Sequence, residues 1–198
     1  MAWTTRKSLI ERVLAGDEES WDTFYASYSR LIYAIGERSG LSPDDCQDMV
    51  QDVMRTIFNN KDRFRYDSCA GKFRSYLTGI VKHKVGDFYR SRNDRLLEMD
   101  PEKADEQEDP DNRLDAVCEE EWKNHILDVA LMELRQKVEP ETFDAFQMYV
   151  LQELGPKVVA EALSISESAV YVYKNRCVKH LRAIIERYRS SDPEFSIG

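Results

Sequence analysis

Three stretches of this 198-residue chain combine residue types and spacings that could do chemistry. The first is Asp45, Asp48, Gln51, Asp52 and Arg55, which recur at three and four residues and so share one face of a helix. Paired carboxylates can carry acid–base catalysis, but an open helix face implies no pocket, and a solvated or partner-binding face is the better expectation. The second is residues 61–72, KDRFRYDSCAGK, where Arg63, Phe64, Arg65 and Tyr66 interleave charge with aromatic rings ahead of Asp67, the small residues and Lys72. Such a loop can hold a base that has left its stack; composition alone reads equally well as an ordinary connection. The third is residues 156–188, with the register of a helix-turn-helix ending in a basic helix.

In that third stretch Val159, Leu163, Ile165, Val170 and Tyr173 fall where two short helices crossing at a tight turn bury side chains, and Ala160 falls where a larger residue would separate them. Ser166 precedes an acid and reads as the N-cap of the second helix. Its outward face is Ser168, Tyr171, Val172, Asn175, Arg176 and Lys179. The first of these suit base edges in a major groove, and Arg176, Lys179, His180 and Arg182 suit phosphates. The competing reading is a helical hairpin in a core with a solvated basic face. No nucleophile with a base, no metal set and no phosphate-cradling glycine loop stands out, so an enzyme is the least supported class and no cofactor is expected.

The elements that must position these residues are helical, because no segment alternates apolar and polar residues over a strand length and Gly and Pro sit at breaks. The expectation is an all-α fold of two small helical domains. A short helix, residues 6–15, carries Leu9, Ile10, Val13 and Leu14 and is closed by Gly16; Asp17 caps the next, whose apolar stripe is Phe24, Tyr25, Tyr28, Leu31, Ile32 and Ile35. Ser42, Pro43, Asp44 and Asp45 make a strong helix start. That helix runs to about Phe58 and buries Cys46, Met49, Val50, Val53, Met54, Ile57 and Phe58. A helix over residues 73–92 buries Phe73, Tyr76, Leu77, Ile80 and Phe88, and its second face bears Gly79, His83, Gly86, Asp87 and Arg90 beside Lys82 and Lys84. Glycine inside a helix costs about 1 kcal/mol against alanine, so Gly79 and Gly86 answer either to close approach of a partner backbone or to steric relief within the domain.

Acidic residues concentrate over residues 98–121, between the basic segments 61–95 and 174–189, so the net charge of −9 conceals two basic patches. The prolines, the acids and the scarcity of apolar residues over 96–113 predict a flexible acidic linker between domains at 1–95 and 114–198. Beyond it a helix over 114–138 buries Leu114, Val117, Trp122, Ile126, Val129 and Leu134; Pro140 breaks it, and a helix over 143–154 follows. Cys46, Cys69, Cys118 and Cys177 have neither pair nor ligand spacing, which predicts free thiols and no metal. No apolar run follows Met1 or reaches the roughly 20 residues of a membrane span, so the expectation is a cytoplasmic protein without membrane insertion.

Three segments in order, DCQDMVQDVMRTIF from Asp45, FRYDSCAGKFRSYLTGIVKHKVGDFYRSR from Phe64 and VVAEALSISESAVYVYKNRCVKHLR from Val158, resemble the extracytoplasmic-function group of bacterial RNA polymerase sigma factors. The resemblance implies two domains, called region two and region four, and a chain that makes no chemical step but directs core polymerase to promoters and opens the strands. It implies that Asp48, Gln51 and Asp52, with Arg55 beside them, dock on the β′ clamp helices, and that region four meets the β flap. Arg65, Tyr66, Asp67, Lys72, Phe73, Arg74, Tyr76, Lys82, His83, Asp87 and Arg90 would melt and read the minus-ten element, and Ser168, Tyr171, Val172, Asn175, Arg176 and Lys179 the minus-thirty-five element. An anti-sigma partner is implied too. The chain departs from the pattern at Tyr76 (usually Trp), His83 (often Asn), Tyr171 (often basic) and Ser164, which replaces a turn glycine and is tolerated if the turn is not left-handed.

Overall fold

The computed structural model describes residues 6–60, 72–99 and 110–191, and these are helical throughout apart from short turns. The helices are α1 Arg6–Leu14, α2 Glu18–Arg38, α3 Pro43–Asn59, α4 Lys72–Met99, α5 Pro110–Lys137, α6 Pro140–Phe146, a π-helical turn Gln147–Leu151, α7 Pro156–Leu163 and α8 Glu167–Ser191. They form two compact units, one ending at His125 and the other spanning Ile126–Ser191.

In the first unit α2, α3 and α4 pack around Phe24, Tyr28, Ile32, Met49, Val53, Ile57, Phe73 and Leu77, all essentially inaccessible to water. Ring packing gives this core direction: Phe73 meets Phe24 and Tyr28 edge-on at centroid distances of 5.7 and 5.4 Å. A Cβ on Gly36 would lie 2.7 Å from the Met49 side chain, so α2 and α3 approach as closely as they do because this residue is glycine. The α3 start is built as its sequence predicts, the Ser42 hydroxyl accepting from the Asp45 amide at 3.2 Å. Asp17 holds the N-cap position of α2 but makes no cap bond; Arg12 and the Ser20 hydroxyl donate to its carboxylate instead. Those donors hold its pKa below the usual carboxylate range.

Several expectations shift. Tyr25 and Phe58 lie at the edges of their stripes and are 43% and 48% exposed. The buried row of α4 is Phe73, Leu77, Val81 and Val85, a repeat of four, leaving Tyr76, Ile80 and Phe88 half-buried. The described ends of the stretch expected as a linker are helical: α4 continues to Met99, and α5 begins at Pro110, a residue favoured at the first helical position. The boundary between units falls inside α5, because Leu114, Val117, Cys118, Trp122 and His125 are buried in the first unit. Tyr28 meets the Trp122 and His125 rings at 6.3 and 5.0 Å.

In the second unit Pro140 opens α6 rather than only ending its predecessor, and the helix expected over 143–154 closes in a π turn. Ala145, Val159, Ala160 and Val170 form a buried cluster onto which Leu163, Ile165 and Tyr173 pack, as the helix-turn-helix register requires. Ser166 caps α8 by accepting from the Ala169 amide at 3.1 Å. The turn is left-handed after all: Ser164 has φ 55° and ψ 39°, a conformation that costs a non-glycine residue about 1–2 kcal/mol. Ile165 N–H donating to Ala160 O at 3.0 Å closes the turn and holds that strain. Glu133, 8% exposed, takes the Tyr188 hydroxyl at 2.7 Å, Lys137 at 3.0 Å and Arg187 as well. Burial raises the pKa of this carboxyl, but the three donors outweigh burial and hold it below the ordinary value.

Candidate nucleic-acid interface

On α3 the residues outside the core row are the ones singled out for their chemistry. Asp48, Gln51 and Arg55 are exposed, and Asp52 is half-buried. Asp52 accepts from Lys84 of α4 at 3.0 Å and from Arg55 at 3.2 Å, so it fastens the two helices while its neighbours remain open. Beside this strip lies an open groove of about 430 Å³ lined by Tyr25, Arg30, Tyr33, Gln47 and Gln51, among others. The strip thus continues onto α2, which the sequence reading did not anticipate.

The α4 candidates divide three ways. Arg65, Tyr66 and Asp67 lie outside the described residues, and Lys72 opens the helix. Phe73 is 1% exposed and belongs to the core, so as placed here it is a packing residue and not a contact for DNA, because Phe24 and Tyr28 enclose its ring. Tyr76 is half-buried with an inaccessible hydroxyl oxygen; burial raises its pKa and Asn60 pulls the other way. His83, Asp87 and Arg90 form a short polar strip on the surface, His83 Nδ1 and Arg90 lying 3.1 and 2.5 Å from the Asp87 carboxylate. The Arg90 hydrogen bond lowers the pKa of Asp87.

Arg74 and Lys82 are the remaining pair, and acids of α5 occupy both. Arg74 donates to Glu119 and stacks 5.4 Å over the Trp122 ring, and Lys82 pairs with Asp115. Arg38, at the end of α2, likewise reaches Glu120 at 2.7 Å and Glu121 at 2.6 Å. These hydrogen bonds raise the pKa of Arg38 and lower that of Glu120. Exposed ion pairs add little stability, but they decide which cations a phosphate finds available. Sequence reasoning missed Arg38 and the α5 acids; the only signal was that Asp115 and Glu119 stand four residues apart.

Neither Gly79 nor Gly86 gives steric relief within the unit. A Cβ on Gly79 would meet nothing within 4 Å, and one on Gly86 only the Arg90 side chain at 3.5 Å and beyond.

In the second unit Ser168, Tyr171, Val172, Asn175, Arg176 and Lys179 are all exposed on α8. Tyr171 is braced edge-on by Tyr149 of the π turn at 5.6 Å, a partner the sequence did not signal. Arg176 lies 5.9 Å from the Tyr173 ring, whose hydroxyl donates to Glu141 at 2.7 Å. An α helix seated on a cross-braced hairpin, with short polar, aromatic and basic side chains outward, has the form that enters a major groove.

Comparison with known proteins bears on both units. The Sigma-70 region 2 model matches residues 24–95, which cover most of α2, all of α3 and most of α4. The ECF RNA polymerase sigma factor BldN of Streptomyces coelicolor is 23% identical over 178 residues, 89% of this chain and 64% of that protein. The chain thus carries a stretch similar to Sigma-70 region 2. It spans just under two thirds of the length of this relative. Two solved structures also align with this chain: the RsbN–BldN complex, with 15% identity, 88% of this chain, 98% of that chain and a TM-score of 0.36, and CnrH in complex with the cytosolic domain of CnrY, with 17%, 90%, 96% and 0.37. Among the described residues no helix is long and apolar enough to cross a membrane.

Proposed function

We propose that this chain is a promoter-specificity subunit that binds core RNA polymerase, directs it to promoters and supports strand opening without a chemical step of its own. The observation that carries the reading is the coincidence, in one chain, of a Sigma-70 region 2 match over residues 24–95 and a helix-turn-helix whose outward residues are all exposed. The domains would divide the work. The exposed Asp48 and Gln51 strip, with Asp52 and Arg55, docks on the β′ clamp helices, and the α4 face with Arg65, Tyr66 and Asp67 captures single-stranded bases of the minus-ten element. The α8 face reads the minus-thirty-five duplex. Region four would also meet the β flap, the protein would work in the cytoplasm, and an anti-sigma protein would hold it inactive.

The test is transcription in vitro with purified core polymerase on genomic fragments, sequencing the starts made with and without the protein. Starts that need it and share two upstream motifs at fixed spacing are the expected result; none at all would end the reading. Asp48→Arg with Gln51→Ala, both on the exposed side of α3, should abolish co-purification with core, a loss of about 2–5 kcal/mol if the pair is desolvated at the contact. Normal retention of that variant would remove the docking assignment.

A further inference from the structure

We propose that the first half of α5 is a built-in acidic latch that occupies the cations needed for single-stranded DNA and so suppresses DNA binding by the free protein. The proposal rests on the reading of α4 as a strand-binding face and deepens it. Asp115 and Glu119 stand one turn apart, about 6 Å along the helix axis, and each sits on one α4 cation, Lys82 and Arg74. Glu120 and Glu121 hold Arg38 in the same manner. The arrangement is not a chance surface pairing of a loose segment. Trp122 and His125 are buried, and Tyr28 and Arg74 pack on the Trp122 ring, so the same stretch of α5 that carries the acids is anchored in the unit.

The carboxylates present to Arg74 and Lys82 the charge and oxygen acceptors that phosphates would. A strand must therefore displace two carboxylates before it gains two phosphate contacts, and the electrostatic term that dominates nonspecific nucleic-acid affinity is cancelled in advance. Net charge alone gives no such selectivity, since it acts on every face of the molecule. The latch is local to α4.

The experiment uses the full chain and a fluorescein-labelled 20-nucleotide single strand of mixed sequence, read by anisotropy across a salt series. Asp115→Asn with Glu119→Gln keeps shape and removes the two charges; Asp128→Asn with Asp144→Asn removes two exposed charges of the second unit as the control. The latch predicts about tenfold tighter binding for the first variant than for the control, with a salt slope steeper by about 1.4, since each released cation contributes about 0.7 on a single strand. Adding Arg74→Gln and Lys82→Gln should erase the gain. If the double variant loses its helical circular dichroism, each single amide variant tests the same point with about a threefold expected gain. Equal affinity and equal slope in the test and control variants overturn the latch, and if core-dependent starts are still made the promoter reading stands. Tighter binding without any core-dependent starts leaves the latch standing and removes the promoter reading.

Discussion

Two basic faces of this molecule have opposite electrostatic surroundings. On α4, Arg74 and Lys82 are each met by a carboxylate of α5. On α8, no carboxylate among the described residues pairs with Arg176 or Lys179; Glu141 is taken up by Tyr173, and Glu133 by Tyr188, Arg187 and Lys137. The difference teaches that a chain with a net charge of −9 can keep one basic face open and neutralise another, by where it places its acids. Under the proposed function the contrast has a use. Duplex reading by α8 stays available, whereas the face that would capture a melted strand is held until something competes for it.

The largest effect that sharpens the contrast concerns Glu133, whose pairing supports the fold and not a masked face. Glu133→Ala should cost the second unit about 1–3 kcal/mol, because it removes the acceptor of the buried Tyr188 hydroxyl and a partner of the half-exposed Arg187 and Lys137, and a urea midpoint would measure it. Its pKa is lowered on folding, so the stability it adds is present above its unfolded value near 4.5 and is lost as pH falls through the lower folded value. Melting temperatures of wild type and variant should therefore converge toward pH 3, and a constant gap down to that pH would break the assignment.

A comparable effect tests the open face. Arg176→Ala should weaken use of an upstream duplex element by about 1–3 kcal/mol if the guanidinium makes a bidentate base contact. Equal loss on promoters with and without that element would reduce Arg176 to a phosphate contact. The smallest effect probes the masked face. Gly79→Ala should stabilise the free protein by about 0.5–1 kcal/mol, since a methyl group there meets open space. The same variant should open promoters more slowly if a DNA backbone approaches α4 at this point. Unchanged opening, measured by permanganate footprinting, would leave the glycine without a role on that face.

Much of this could be read from residue order. The N-caps at Ser42 and Ser166, the α3 strip and the helix-turn-helix core are local, set by side chains within a few residues of one another. The errors also have physical causes. The periodicity of α4 points to a row slightly away from Val81 and Val85 because the helix is apolar on more than one side, and only its neighbours choose which row is buried. Phe73 carried an aromatic ring suited to stacking on a base, and nothing in its own sequence neighbourhood reveals that Phe24 and Tyr28 enclose it.

By itself the sequence determined an all-helical chain, the starts of its main helices and which α8 residues face outward, because periodicity and capping act over a turn or two. Only the tertiary structure decided that the acidic stretch before the second domain is helical from Pro110 and that its first half is buried in the first unit. It also decided which cations those acids meet. Arg74 with Glu119, Lys82 with Asp115 and Arg38 with Glu121 are pairings across tens of residues. Such contacts depend on where separate helices pack and leave no periodic trace in the chain.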